Sequence, residues 1–96
     1  MSEMEKELVV FKALADPIRL NLLGVINTKD KMCVCELVER FDISQSKLSY
    51  HLKMLLEAEL LLLYPQGKWN FYSVNRETMK VVLAQEMIDK IFKKTS

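Results

Sequence analysis

Glycine and proline are scarce, two of each in 96 residues, which excludes a collagen-like or loop-rich chain. The two cysteines are too few for a disulfide scaffold. Placed at Cys33 and Cys35, they would close a tiny strained loop if bridged, so the spacing suggests a reduced compartment and a pair of ligands. Neither sign of charge dominates. Fourteen Lys+Arg against thirteen Asp+Glu leave +1, so there is no global polycation and no acidic tail, and any nucleic-acid-binding face must be local. No apolar run approaches the roughly 18 residues of a membrane span and no signal-peptide pattern occurs, so the expectation is a cytoplasmic chain with no membrane partner. With one histidine, no paired carboxylates at useful spacing and no glycine-rich phosphate loop, nothing is available to assemble an enzyme's site.

What the chain does have is apolar content, 50% of residues. At this length it forms one domain, residues 1–96, and carries more apolar surface than one small core hides. The expectation is a homodimer. Along the chain, Met4, Leu8, Phe11, Leu14 and Ala15 recur at helical spacing and predict an amphipathic helix over about residues 4–15. Asp16-Pro17 supplies an N-cap oxygen followed by a proline at the first helical position. It opens a second, nearly all-round apolar helix to about Asn27. The polar residues 27–31 separate this from a short helix over about Val34–Arg40. Asp42-Ile43-Ser44 reads as a tight turn, with Ser44 capping a longer helix to about Glu59.

That longer helix carries two stripes. Leu48, Leu52, Leu55 and Leu56 form an apolar one, and Ser46, Ser49, Tyr50 and Lys53 a polar one. The period then becomes extended: Leu60–Tyr64, a turn at residues 65–68, and Trp69–Val74 predict a hairpin. Asn75 can cap a last helix to about Phe92, with Met79, Val82, Leu83, Met87, Ile91 and Phe92 on its apolar side.

A short helix, a tight turn, a longer helix with a polar outer stripe and a hairpin make a mainly α fold with a small β-hairpin wing. This is a winged helix-turn-helix in the order α-α-α-α-β-β-α. The helix-turn-helix spans about residues 32–59 and the wing about 60–74. Residues 44–56 hold Lys47 and Lys53 with no acidic residue, and Ser, Gln, Tyr and Lys donate to phosphates and base edges. Lys68 at the hairpin tip can reach an adjacent groove. The same serines and lysines alone would merely solvate a helix; the flanking turn and hairpin favour the binding reading.

Residues 44–61, SQSKLSYHLKMLLEAELL, and 67–74, GKWNFYSV, resemble the recognition helix and wing of the ArsR/SmtB arsenical and metal-responsive repressors. FKALADPIRLNLL (11–23) and MCVCEL (32–37) resemble the family's second-helix segment and its C-x-C metal-box helix. The resemblance covers about residues 8–75, with the blocks in family order. It implies a dimer paired through its first and last helices, about 4–15 and 76–92. Such a dimer binds double-stranded operator DNA at an imperfect palindrome and needs no cofactor to do so. It also implies base or phosphate contacts at Gln45, Ser46, Ser49 and Tyr50, to which Lys47, Lys53 and Lys68 are added here as phosphate candidates. One departure is Glu59, where the family commonly has glycine, which bears on how the recognition helix ends.

The resemblance makes Cys33 and Cys35 candidate ligands for a thiophilic inducer, As(III) or Sb(III) foremost, since thiolates select soft species. On an ideal helix, residues two apart lie about 200° apart. Both sulfurs therefore meet one ion only if the chain is extended or unwound there, at a helix N-terminus or by distorting one. The family's arsenite sensors often carry a third cysteine two or three residues on, where this chain has Leu37 and Val38. Its last-helix zinc and nickel pattern needs histidines that residues 76–96 lack. Two thiolates still suit a monosubstituted arsenical, arsenite with a hydroxide, or a linear ion. His51, the sole histidine, would be a solitary ligand, whereas a DNA contact or a packed edge residue needs no partner. Two rival readings remain: a DNA-binding regulator whose cysteines are redox-sensing or idle, and a winged-helix protein-interaction module.

Overall fold

The computed structural model describes residues 3–82. Its elements run α1 (Glu3–Leu14), α2 (Pro17–Ile26), β1 (Met32–Cys33), α3 (Val34–Arg40), α4 (Gln45–Glu57), β2 (Leu61–Gln66), β3 (Trp69–Val74) and α5 (Arg76–Val82). The expected order of helices and hairpin is present. The part of the last helix predicted beyond Val82, with Leu83, Met87, Ile91 and Phe92, lies outside the described residues.

Local chemistry explains the boundaries. Asp16 is extended and its carboxylate accepts from the backbone N–H groups of Ile18 (2.8 Å) and Arg19 (3.2 Å). These are N–H groups that a helix start otherwise leaves unpaired. Ser44 does the same for α4 by accepting from the Lys47 N–H at 3.2 Å. At the far end of α4 the Glu59 N–H donates to Leu56 O and the Leu60 N–H to Leu55 O. With Glu59 at φ 59, this is a Schellman stop, whose left-handed residue is ordinarily glycine. The Asn75 side chain donates to the Glu59 carbonyl (2.9 Å) and so ties the start of α5 to the end of α4.

The sheet differs from the sequence expectation in two ways. The hairpin is tighter, with Gln66 paired to Trp69 and only Gly67 and Lys68 in the turn. Gly67 takes φ 61 at its first central position, a conformation glycine adopts without steric cost. Pro65 sits within β2, an edge strand, where its missing N–H is tolerated. The residues before α3 also form a third strand: β1 pairs antiparallel with β3, Met32 opposite Tyr72 and Cys33 opposite Phe71, giving the order β1-β3-β2. A two-residue strand carries too little periodicity to be read from sequence.

The core gathers Leu22, Leu23 and Ile26 of α2, Leu37 of α3, Leu48, Leu52 and Leu55 of α4, and Met32, Leu61, Tyr72 and Val74 of the sheet. The apolar residues of α1 divide. Ala13 is buried and Val10 and Leu14 pack on the core, whereas Leu8 and Phe11 are 59% and 51% exposed. The helix thus has two apolar faces, only one of which its own core covers.

Candidate nucleic-acid interface and thiol pair

The α4 stripes separate as their spacing predicts. Leu48, Leu52 and Leu55 are buried, which fixes the helix on the core, and Gln45, Ser46, Lys47, Ser49, Tyr50 and Lys53 are all exposed. At about 100° per residue, Ser46, Ser49, Tyr50 and Lys53 fall on one narrow face, with Gln45 and Lys47 on its flanks. The face carries hydroxyl, amide and ammonium groups and no carboxylate, suiting it to phosphates and base edges. Lys68 is exposed at the turn of the wing.

Behind this face lies a buried polar network that sequence reasoning missed. Arg19, only 6% exposed, donates from Nε to the Ala13 carbonyl (2.7 Å) and from Nη2 to the Lys12 carbonyl (3.1 Å). These carbonyls belong to the last turn of α1, where Ala13 O has no other partner among the described residues and Lys12 O otherwise accepts only a long bond from the Ala15 N–H (3.3 Å). The third arm, Nη1, donates to His51 Nδ1 at 2.9 Å. A guanidinium cannot accept, so Nδ1 holds the lone pair and the imidazole proton sits on Nε2. Of the two readings that need no metal, His51 is thus the packed one, 7% exposed on the buried side of α4. Its ring meets Tyr50 edge to face, with centroids 5.4 Å apart. One arginine therefore joins α1, α2 and the recognition helix. The available signal is a lone arginine inside an otherwise apolar helix, an arrangement that needs an internal partner.

Asp16 lies at the rim of this network, 4.0 Å from Arg19 Nη1. Partial desolvation opposes ionisation of its carboxyl. The backbone hydrogen bonds from Arg19 and Ile18, together with the nearby Arg19 charge, outweigh it and hold Asp16 below its ordinary value. Burial alone raises Tyr72, whose hydroxyl stays neutral.

Cys33 and Cys35 come together elsewhere, where β1 runs into α3. Cys33 is the N-cap of α3, extended at φ -68 and ψ 141, and its sulfur accepts from the Cys35 N–H at 3.2 Å. Because Cys33 lies outside the helix, the Cα atoms are 5.1 Å apart and the two sulfurs are joined in a disulfide. This is the extended, helix-N-terminal arrangement that the separation of about 200° required for the two sulfurs to meet, and α3 itself stays wound. In place of two free thiols, the structure has the sulfurs bonded to each other. Cys33 is buried and Cys35 exposed. Among the described residues no group of three or more His, Cys, Asp or Glu side chains is placed to hold a metal ion, and no helix is long and apolar enough to cross a membrane.

Helices α3 and α4 around a tight turn, followed by a hairpin, define a winged helix-turn-helix, a class that places its second helix in the major groove. The family described as bacterial regulatory protein, arsR family, matches residues 16–61. The arsenical resistance operon repressor of Bacillus subtilis is 42% identical over 92 residues, covering 91% of this chain and 88% of that protein. HlyU from Vibrio cholerae superposes with a TM-score of 0.74 at 27% identity, covering 97% of this chain and 99% of that one. A structure titled as an ArsR family transcriptional regulator superposes at 0.76 and 23% identity, covering 99% and 97%. The chain belongs to the ArsR family of DNA-binding transcription regulators. It is an ArsR-type repressor by likeness, not an enzyme.

Proposed function

We propose that two copies of this chain bind an imperfect palindrome in operator DNA and that a thiophilic inducer, As(III) or Sb(III), releases them by bonding Cys33 and Cys35. The observation that carries the DNA-binding part is the carboxylate-free exposed face of α4, held on the core by its own leucines and by Arg19. Gln45, Ser46, Ser49 and Tyr50 approach bases or phosphates. Lys47, Lys53 and Lys68 neutralise phosphates, each adding to the salt dependence of binding. The uncovered apolar face of α1, with Leu8 and Phe11, supports pairing of two copies. Relatives named as arsenical resistance operon repressors support the inducer class.

Release begins from the reduced pair. Arsenite, As(OH)3, exchanges two hydroxyls for two sulfurs, forming two As–S bonds and two waters while arsenic stays trivalent. The new bridge draws the two free sulfurs onto one arsenic and so disturbs the Cys33 Sγ contact with the Cys35 N–H that caps α3. Helix α3 is joined to α4 through the turn at residues 41–44, so a shift at its start reaches the recognition helix.

Fluorescence anisotropy on the DNA upstream of the protein's own gene tests this, using reduced protein with and without stoichiometric arsenite. Release is the expected result. Cys33→Ser and Cys35→Ser should keep operator binding and lose release; a double variant that still responds to arsenite ends the sensor reading. A second reading, favoured by the disulfide itself, makes the pair a redox sensor. In that case hydrogen peroxide without arsenite would release the DNA, and a phosphine reductant would restore binding. Failure to bind any duplex, or binding indifferent to salt, would favour a protein-interaction module.

A further inference from the structure

The sheet registers place Cys33 directly opposite Phe71, and Phe71 directly opposite Tyr64. Directly opposed residues share a face of the sheet with Cβ atoms about 4.5–5.5 Å apart, so the three side chains form one row across β1, β3 and β2. The alternate row, Met32, Tyr72 and Leu63, includes two of the core's buried residues. The Cys33 row therefore lies on the opposite face, buried at Cys33 and opening to solvent toward Tyr64. Phe71 there is half-buried, Tyr64 is 41% exposed, and Trp69 two residues along is 50% exposed. Lys31 places its ammonium 5.5 Å from the Tyr64 ring centroid. The sulfur pair, with Cys33 buried and Cys35 exposed, thus stands at the end of a partly exposed row of aromatic rings.

Trivalent arsenic makes three bonds, and this chain offers two sulfurs. It contains no third cysteine, and no three-ligand cluster exists among the described residues. The third bond goes to a hydroxide in bound arsenite and to carbon in a monosubstituted arsenical. A hydroxide beside Phe71 faces an apolar ring, whereas an apolar substituent gains contact there.

We propose that the preferred inducer is a trivalent organoarsenical with an apolar, best an aryl, substituent. Its arsenic is bridged by Cys33 and Cys35 and its carbon group lies on Phe71 and Tyr64. The proposal rests on the reading of the cysteine pair as the sensing site. A phosphine reductant first opens the disulfide: the phosphine gives up two electrons and takes the oxygen of one water as phosphine oxide, and that water's two protons go to the two thiols. The dihydroxy arsenical R–As(OH)2 then exchanges both hydroxyls for the two thiols, releasing two waters. The As–C bond and the trivalent state are unchanged.

The test uses full-length protein reduced with a phosphine, desalted, and bound to fluorescent operator DNA. Phenylarsine oxide and sodium arsenite are titrated separately, intact mass counts the adducts, and a small dithiol measured alongside gives the intrinsic preference between the two arsenicals. The wild type should be released by phenylarsine oxide with a preference about three- to tenfold beyond that baseline. Tyr64→Ala and Phe71→Leu, the latter keeping an apolar β3, should return to the baseline while their response to arsenite is unchanged. A wild-type preference equal to the baseline, or one that neither variant alters, overturns this proposal and leaves the sensing site standing. A chain that forms no adduct with either arsenical overturns both.

Discussion

Glu59 is the residue at which this chain most plainly carries a local cost. Its φ of 59 closes the Schellman stop of α4, and a side chain in the left-handed region costs about 1 kcal/mol relative to glycine. Glu59→Gly should therefore raise stability by about that amount in urea unfolding, with the operator contacts untouched; an unchanged midpoint would mean that the strain is relieved elsewhere. Asp16 works in the opposite sense, because its interactions favour the native state. Its carboxyl titrates below the ordinary 3.8 in the folded chain. A depressed carboxylate contributes stability that is full above the unfolded value and lost as pH falls through the folded one. Asp16→Ala also removes the α2 cap, a loss of about 1 kcal/mol. The gap in stability between wild type and variant should thus be widest well above the ordinary 3.8 and shrink as the pH falls below it, and a gap that grows on acidification would contradict the assignment.

Among elements, the decisive connection is the one Arg19 makes. Three of its donors serve the end of α1 and the buried face of α4 at once, and a planar fork can do this where a single ammonium cannot. Arg19→Ala leaves the Ala13 carbonyl and His51 Nδ1 without their donor and takes one of two donors from the Lys12 carbonyl. The expected loss is about 2–4 kcal/mol in chemical denaturation, and Arg19→Lys should recover only part of it. A loss under about 0.5 kcal/mol, the size of an ordinary surface substitution, would show that water replaces the guanidinium and that the network does not fix α4. The exposed ion pair between Lys29 and Glu36, at 2.7 Å, is by contrast worth little.

At the scale of the whole molecule, half-apolar composition meets a small core. Leu8 and Phe11 of α1 remain exposed, as does Val81 of α5 at 87%, so the two helices expected to pair copies both present apolar side chains outward. Phe11→Glu should leave the monomer fold intact, because the residue does not belong to the core. In sedimentation it should shift the chain from dimer to monomer and weaken operator binding with it, since a palindrome is read by two recognition helices together. Unchanged mass and affinity would place the interface away from α1.

Much of this was legible in the sequence because it depends on periodicity and local chemistry. Asp16-Pro17 and Ser44 marked helix starts by what their side chains can accept. The leucines of α4 at positions 48, 52 and 55 determined which face turns inward, and so which serines, lysines and tyrosine remain available to a partner. Only the tertiary structure decided the rest. The two-residue strand at Met32–Cys33 exists because β3 is there to pair with it, and that strand holds Cys33 extended and brings its sulfur to Cys35 beside Phe71. Arg19 and His51, 32 residues apart in the chain, are partners only once α2 and α4 pack. Helical stripes are written in neighbours three and four residues apart, whereas a buried hydrogen bond or a cross-strand pair joins residues whose separation carries no period to read.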